Sequence, residues 1–273
     1  MIRKSILLLF AGVSLIAAAV ADEDPGESPK ASTWGHVRGQ VVLDADLDDP
    51  RLQKFFDDLP LARPLSLPVP LGAKPEVVNQ IPNDRLIVET KTKGVKNAFV
   101  FVANRPERVH PSYAKESLKP VKLTYAERRF RPRVFALQVG QPLEMIADKA
   151  GGEATNFHGR FARNQSFNLL VPPDGKPRKW SARKLEPGRI PSRIESSIYQ
   201  TAVAYCLIKD HPYIAFTDRE GRFELKNLHA GTHELVIWHE AVGWVAKSLS
   251  VTVKPGETET LKAQKITIEQ LER

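Results

Sequence analysis

Residues 210–240 read DHPYIAFTDREGRFELKNLHAGTHELVIWHE. Within this run, RFELKNL (222–228) and HELVIWHE (233–240) carry apolar residues at alternating positions, the period of a strand with one buried face. Gly221 and Gly231 punctuate the stretch as turn residues. It reads as a self-contained run of strands, with a boundary near residue 211.

The same signals extend upstream and downstream. HVRGQVVLD (36–44), RLIVET (85–90), NAFVFVA (97–103), RVFALQVG (133–140), PLEMIA (142–147), SFNLLVP (166–172), AVAYCLI (202–208) and SLSVTVK (248–254) are further strand candidates. The 21 Pro and 16 Gly fall between them, so the pattern predicts an all-β sandwich. Helical spacing is confined to DPRLQKFFDDL (49–59), stopped by Pro60, and to a frayed turn in the C-terminal TIEQLER. RPLSLPVPLGAKPEVVNQIP (63–82) is too rich in proline for a central strand. Residues 22–33 are acidic, with the composition of a disordered leader.

At the start, Arg3 and Lys4 precede an apolar run from Ser5 to Val20, and Ala19-Val20-Ala21 supplies small residues for cleavage after Ala21. The reading is a secretory signal peptide, residues 1–21, and a secreted or periplasmic protein; the run is shorter than the roughly 20 residues that span a bilayer. No later segment is expected to cross a membrane. A single cysteine precludes an internal disulfide. The formal charge is +8, concentrated in KPRKWSARKLEPGRIPSR (176–193), where seven Lys or Arg face Glu186 alone. Such a block is read first as a solvated loop; its functional alternative is contact with an anionic envelope component or an acidic polysaccharide through Arg178, Lys179, Arg183 and Lys184. No nucleic-acid-binding motif is present, and nucleic acid is not an expected partner.

The run 210–240 resembles the carboxypeptidase regulatory-like, transthyretin-type β-segment, through TD-x-x-G-x-F, N-L-x-x-G and L-x-I-W-H-E. WGHVRGQVVLD (34–44), NDRLIVETKTKGVKNAFVFV (83–102), FRPRVFALQVGQPLEM (130–145) and ATNFHGRFARNQSFNLLVPP (154–173) resemble the cupredoxin-like domains of secreted bacterial proteins that carry such a segment. The resemblance implies a cupredoxin-like Greek-key sandwich over 34–210, a regulatory-like β-segment over 211–265 and a tail over 266–273. It also implies where copper ligands would stand. Glu153 falls at the position of the first histidine, Ser196 at the cysteine, Tyr199 at the second histidine and Ala202 at the methionine. A type 1 copper site needs a thiolate and two imidazoles, with a weak axial thioether. None of the four expected ligands is there, so the copper site reads as lost and no cofactor is expected.

A rival set remains open: His158, Cys206 and His211 offer a His, then Cys-x-x-x-x-His arrangement for a type 1 copper electron carrier. Against it, no methionine follows His211, and Tyr205-Cys206-Leu207-Ile208 reads as the middle of a strand, with Cys206 filling core space. On that account His211 is a turn residue before Pro212 and His158 a surface-loop residue.

His229, His233 and His239 with Glu240 form a second cluster, but six strand residues span roughly 20 Å, too far for His233 and His239 to grip one ion. Trp238 and His239 look like family framework residues. Asp44, Asp46 and Asp48 alternate as in a calcium loop, without its Gly at position six or its Glu at position twelve. No catalytic motif is found. Sequence alone therefore predicts a non-catalytic, exported binding or structural module.

Overall fold

The structure, a computed structural model, describes residues 33–52, 84–114, 119–150, 152–186 and 190–273. The expected signal peptide, residues 22–32, most of the 49–59 helix and the stretch 63–82 lie outside these residues. In chain order the strands are β1 (Trp34–Leu43), β2 (Phe99–Val102), β3 (Val121–Ala126), β4 (Arg129–Arg131), β5 (Val134–Gln138) and β6 (Pro142–Ala147). There follow β7 (Thr155–Gly159), β8 (Phe167–Val171), β9 (Arg178–Ser181), β10 (Ser192–Glu195), β11 (Val203–Lys209) and β12 (Ile214–Phe216). The last are β13 (Arg222–His229), β14 (Gly231–His239), β15 (Gly243–Val253), β16 (Thr258–Thr260) and β17 (Gln264–Ile266). The fold is all-β.

These strands build four sheets: β13-β1-β16 with β17 also on β1; β12-β2-β14-β15; β5-β11-β10-β7-β8; and β4-β3-β6-β9. Three apolar clusters bind them into a stack. Val37, Val41, Phe223 and Leu225 of the first sheet meet Val100, Val102, Leu235 and Ile237 of the second. Phe99, Phe101, Val236 and Trp238, on the other face of the second sheet, meet Val134 and Leu207 of the third. Phe135, Leu137, Cys206 and Ile208 then face Leu123, Leu143 and Met145 of the fourth. Because successive residues point to opposite faces, β2, β5, β11 and β14 are buried on both sides. That is why FVFV and LVIW are continuous apolar runs rather than alternating ones.

The expected division at residue 211 cuts through this arrangement. β1 pairs with β13 from Trp34–His229 to Gln40–Arg222, and β2 pairs with β14 over Val102–Leu235 to Phe99–Trp238. Strands from 34–102 thus complete both sheets of the C-terminal run, whose backbone groups would otherwise lack partners. Residues 121–209 form the other two sheets, inserted between β2 and β12. RLIVET is not a strand: only Val88 bridges to Val95, because the chain bends at Glu89, whose carboxylate accepts from the Lys91 and Thr92 amides at 2.9 and 2.6 Å. The C-terminal residues are docked rather than a free tail. β17 runs parallel to β1, and a helix at Ile268–Leu271 buries Ile268 and Leu271.

The turn that opens β13 explains the TD-x-x-G mark. Asp218 accepts from the Arg222 amide through its side chain at 2.8 Å, and its carbonyl accepts from Gly221 N–H at 3.0 Å. Gly221 has φ +76, and a Cβ there would lie 2.1 Å from the Val41 carbonyl oxygen. Only glycine permits that approach.

The insertion is fastened to the outer sandwich by charge as well as packing. Arg133, just before β5, makes a two-pronged contact with Glu240 after β14 and a further contact with Asp84; the Arg133 and Glu240 side chains are 9% and 3% exposed. Burial is the leading influence on both groups, pushing the Glu240 carboxyl up, while the pairing with Glu240 leaves Arg133 above its ordinary value.

Candidate functional site

At one end of the inserted sandwich, the β3–β4 turn, the segment before β7 and the β10–β11 loop converge. Glu127 and Arg128 form a two-residue hairpin turn with φ +51 and +59, the combination of a type I′ turn, which Asn-Gly usually fills. Holding two non-glycine residues there costs about 1–3 kcal/mol each, and such cost concentrates at sites where the side chain is needed. Here it buries the Arg128 side chain, which is 8% exposed.

The Arg128 guanidinium donates to Glu153 at 2.9 Å and lies 5.4 Å from the centre of the Tyr199 ring. Tyr199 stacks on Tyr125 at 5.5 Å, and Tyr125 donates to Glu153 at 3.1 Å. Thr201 donates to the Arg128 carbonyl at 2.6 Å, fixing the turn against the loop. The ion pair with Glu153 holds Arg128 above its ordinary value. Burial first, then the Glu153 charge, pushes both tyrosine hydroxyls up, so neither is a phenolate near neutrality.

Ser196 follows the last residue of β10 and organises the loop. Its hydroxyl accepts from the Ile198 and Tyr199 amides at 3.1 and 3.0 Å, donates to Asn156 at 3.1 Å and contacts the Thr155 hydroxyl at 2.9 Å. Ser196 N–H reaches the Ala202 carbonyl at 2.9 Å, and Ala202 N–H the Tyr199 carbonyl at 2.8 Å, closing the loop on itself. Ser196, Tyr199 and Ala202 therefore share one closed loop, and Arg128 links Tyr199 to Glu153. Copper does not fit them. They offer a carboxylate already paired with a guanidinium and hydroxyls held in hydrogen bonds, while the Ala202 methyl offers no lone pair.

The rival set is not assembled. Cys206 is buried in mid-β11 among the apolar side chains between the third and fourth sheets, and burial raises its thiol well above its ordinary value. His158 stands in β7, not in a loop, next to Phe157, which faces that same core. Alternation puts His158 on the opposite face of the sheet from Cys206. There it accepts from Arg160 at 3.1 Å. His211 lies in the turn before Pro212 as expected, but fully buried, its ring 6.2 Å from that of Tyr213 in the outer core.

The second histidine cluster is dispersed too. His233 Nε2 lies 2.6 Å from the His229 carbonyl, and His229 packs edge-on against Trp34. His239 is buried, with Nε2 3.1 Å from the Lys96 carbonyl and Nδ1 accepting from Ala241 N–H at 3.2 Å, a framework position. Asp44 pairs with Lys265 at 3.1 Å, while Asp46 and Asp48 lie in a turn at the protein surface. Among the described residues, no three His, Cys, Asp or Glu side chains could hold one metal ion.

The basic stretch 176–193 is not simply a loop. Arg178–Ser181 forms β9, paired with β6, and Trp180 stacks on Phe161 at 4.6 Å. Sequence reasoning missed Arg128 and Tyr125, and the Arg133–Glu240–Asp84 contacts. A signal existed only for the first, in the charged AERRFR turn between two strand-like halves.

No protein-family pattern and no curated protein matches the chain. Solved structures similar to it include an oxidised proline-to-glycine mutant of amicyanin, at 7% identity and TM-score 0.27 over 40% of this chain and 98% of that one. A reduced proline-to-phenylalanine mutant of amicyanin gives the same figures. The purple cupredoxin from Nitrosopumilus maritimus matches at 10% identity and TM-score 0.26 over 32% of this chain and 98% of its own.

Proposed function

We propose that this chain is an exported, non-catalytic module in which a cupredoxin-like sandwich, its copper site degenerate, is carried by a transthyretin-type regulatory-like sandwich. Its work is binding or structural support at the cell envelope or outside the cell. One observation carries the reading: the Arg128 guanidinium lies against the Glu153 carboxylate and the Tyr199 ring where the resemblance places two imidazole ligands. A resident cation, already paired, repels a second one and leaves no soft donor for copper. Two residues held at positive φ to deliver it support a site built around that cation.

The test is titration of the chain with Cu(II) at neutral pH, followed by visible absorption. The expected result is no intense blue thiolate-to-copper band, with identical spectra for wild type and Cys206→Ala. A blue band that vanishes in Cys206→Ala would overturn the proposal.

A further inference from the structure

The cations of the basic stretch divide into two groups. Arg178 is paired with Asp174 at 3.1 Å and Lys179 with Glu144 at 3.4 Å. Arg183 and Lys184 instead have their backbone amides bound to the Asn164 side-chain oxygen, at 2.7 and 2.9 Å, leaving their exposed side chains free to point outward. Asn164 belongs to the β7–β8 connection, which brings Arg160 and Arg163 to the same place.

The two segments lock each other. Glu186 accepts from the amides of Ala162, Arg163 and Asn164 at 2.8, 3.1 and 3.1 Å. Asn164 Nδ2 donates back to Glu186 at 2.6 Å and to the Lys184 carbonyl at 2.8 Å. Glu186 is thus committed to backbone amides, and no ion pair joins Arg160, Arg163, Arg183 or Lys184 to any acid among the described residues. Beside them, half-buried Phe161 lies flat on Trp180, whose indole N–H donates to the Gln165 carbonyl at 2.9 Å. Like charges carried on two segments that lock together work against folding.

We propose that this locked pair of loops is a binding site for an acidic polysaccharide, with Arg163, Arg183 and Lys184 meeting its carboxylate or sulfate groups and Phe161 and Trp180 offering a sugar-stacking surface. The proposal rests on the exported binding-module reading and names its partner class. A backbone-fixed array of cations suits the regular anion spacing of a polymer, and guanidinium groups suit planar, two-oxygen anions. Binding is salt-sensitive because exposed charges are screened beyond roughly 8 Å at physiological ionic strength.

The experiment applies the full chain to immobilised polygalacturonate at about 50 mM NaCl, where screening is weak, and reads affinity and the salt needed for elution. Arg163→Glu/Arg183→Glu/Lys184→Glu is expected to weaken binding at least tenfold. A comparator with the same charge change, Lys91→Glu/Lys122→Glu/Lys262→Glu, is expected to stay within twofold of wild type. Arg163→Gln/Arg183→Gln/Lys184→Gln should lose binding too while keeping the wild-type thermal midpoint. Equal loss in the comparator, unchanged binding in the glutamate or the glutamine variant of Arg163, Arg183 and Lys184, or tighter binding to phosphatidylglycerol vesicles than to polygalacturonate would overturn the proposal. Copper binding is measured separately, so failure here leaves the degenerate-site reading standing.

Discussion

His211 and His239 are both fully buried, yet their replacement should have opposite consequences. Among the described residues neither ring nitrogen of His211 has a hydrogen-bond partner, whereas His239 satisfies the Lys96 carbonyl and the Ala241 amide. An unsatisfied buried polar group costs about 1–3 kcal/mol. His211→Leu should therefore raise unfolding free energy by about 1–3 kcal/mol at pH ~7.5, and His239→Leu should lower it by a similar amount. Acid adds a second reading. Burial pushes both imidazoles down to about 4 from the ordinary 6.5; the nearby Val102 backbone works against the shift at His211 without coming into hydrogen-bond geometry. A depressed imidazole contributes stability that is fully present above pH 6.5 and is lost as pH falls toward 4, because the unfolded chain takes up the proton first. At pH ~5 the loss is about 2 kcal/mol per histidine. Glu240, raised by burial, works in the other direction but equally in wild type and variants, so it cancels in the difference. Urea unfolding at about pH 7.5 and about pH 5 gives both numbers. His211→Leu should be the more stable protein at the higher pH and should lose about 2 kcal/mol less than wild type on acidification. A His211→Leu protein less stable than wild type at both pH values would refute the reasoning.

Two further outcomes follow from the junction and the β13 turn. Arg133→Met leaves Glu240 buried without its partner and should cost about 3–5 kcal/mol by urea unfolding, with Arg133→Met/Glu240→Gln recovering more than half. Gly221→Ala meets the Val41 carbonyl at a φ that disfavours a side chain, and should lose at least about 2 kcal/mol in the same assay.

Much of the strand content was legible because burial imposes a period. PLEMIA is β6 to the residue, and AVAYCLI and HELVIWHE lie on β11 and β14 within a residue or two at most ends. The strands missed include β3, VKLTYA, although its Leu123 and Tyr125 alternate with polar neighbours, and the shorter TNFHG, RKWS and SRIE, which look like loops until their partners are known. Pairing was not legible at all. β1 meets β13 across more than half of the chain, and no local pattern encodes that choice. At the site, Glu153, Ser196, Tyr199 and Ala202 came from resemblance to a known loop. Arg128 could not, because its role depends on a backbone conformation that glutamate and arginine rarely adopt.

The chain leaves the second sheet after Ala103, packs Val109 and Tyr113 on the outer core, and returns beside β2 after building the inserted sheets. Val102 N–H donates to the Tyr213 carbonyl at 3.1 Å, and the Lys209 ammonium donates to the Ala103 carbonyl at 2.7 Å. β2 and β12 are thus already antiparallel neighbours, as in a hairpin whose tip has been replaced by another sandwich, the sheets of residues 121–209. A host that needs only a tight turn at that point can accept guests of different sequence without altering its own register. Two tethers emerging side by side then set a guest's orientation in a way that a single linker could not.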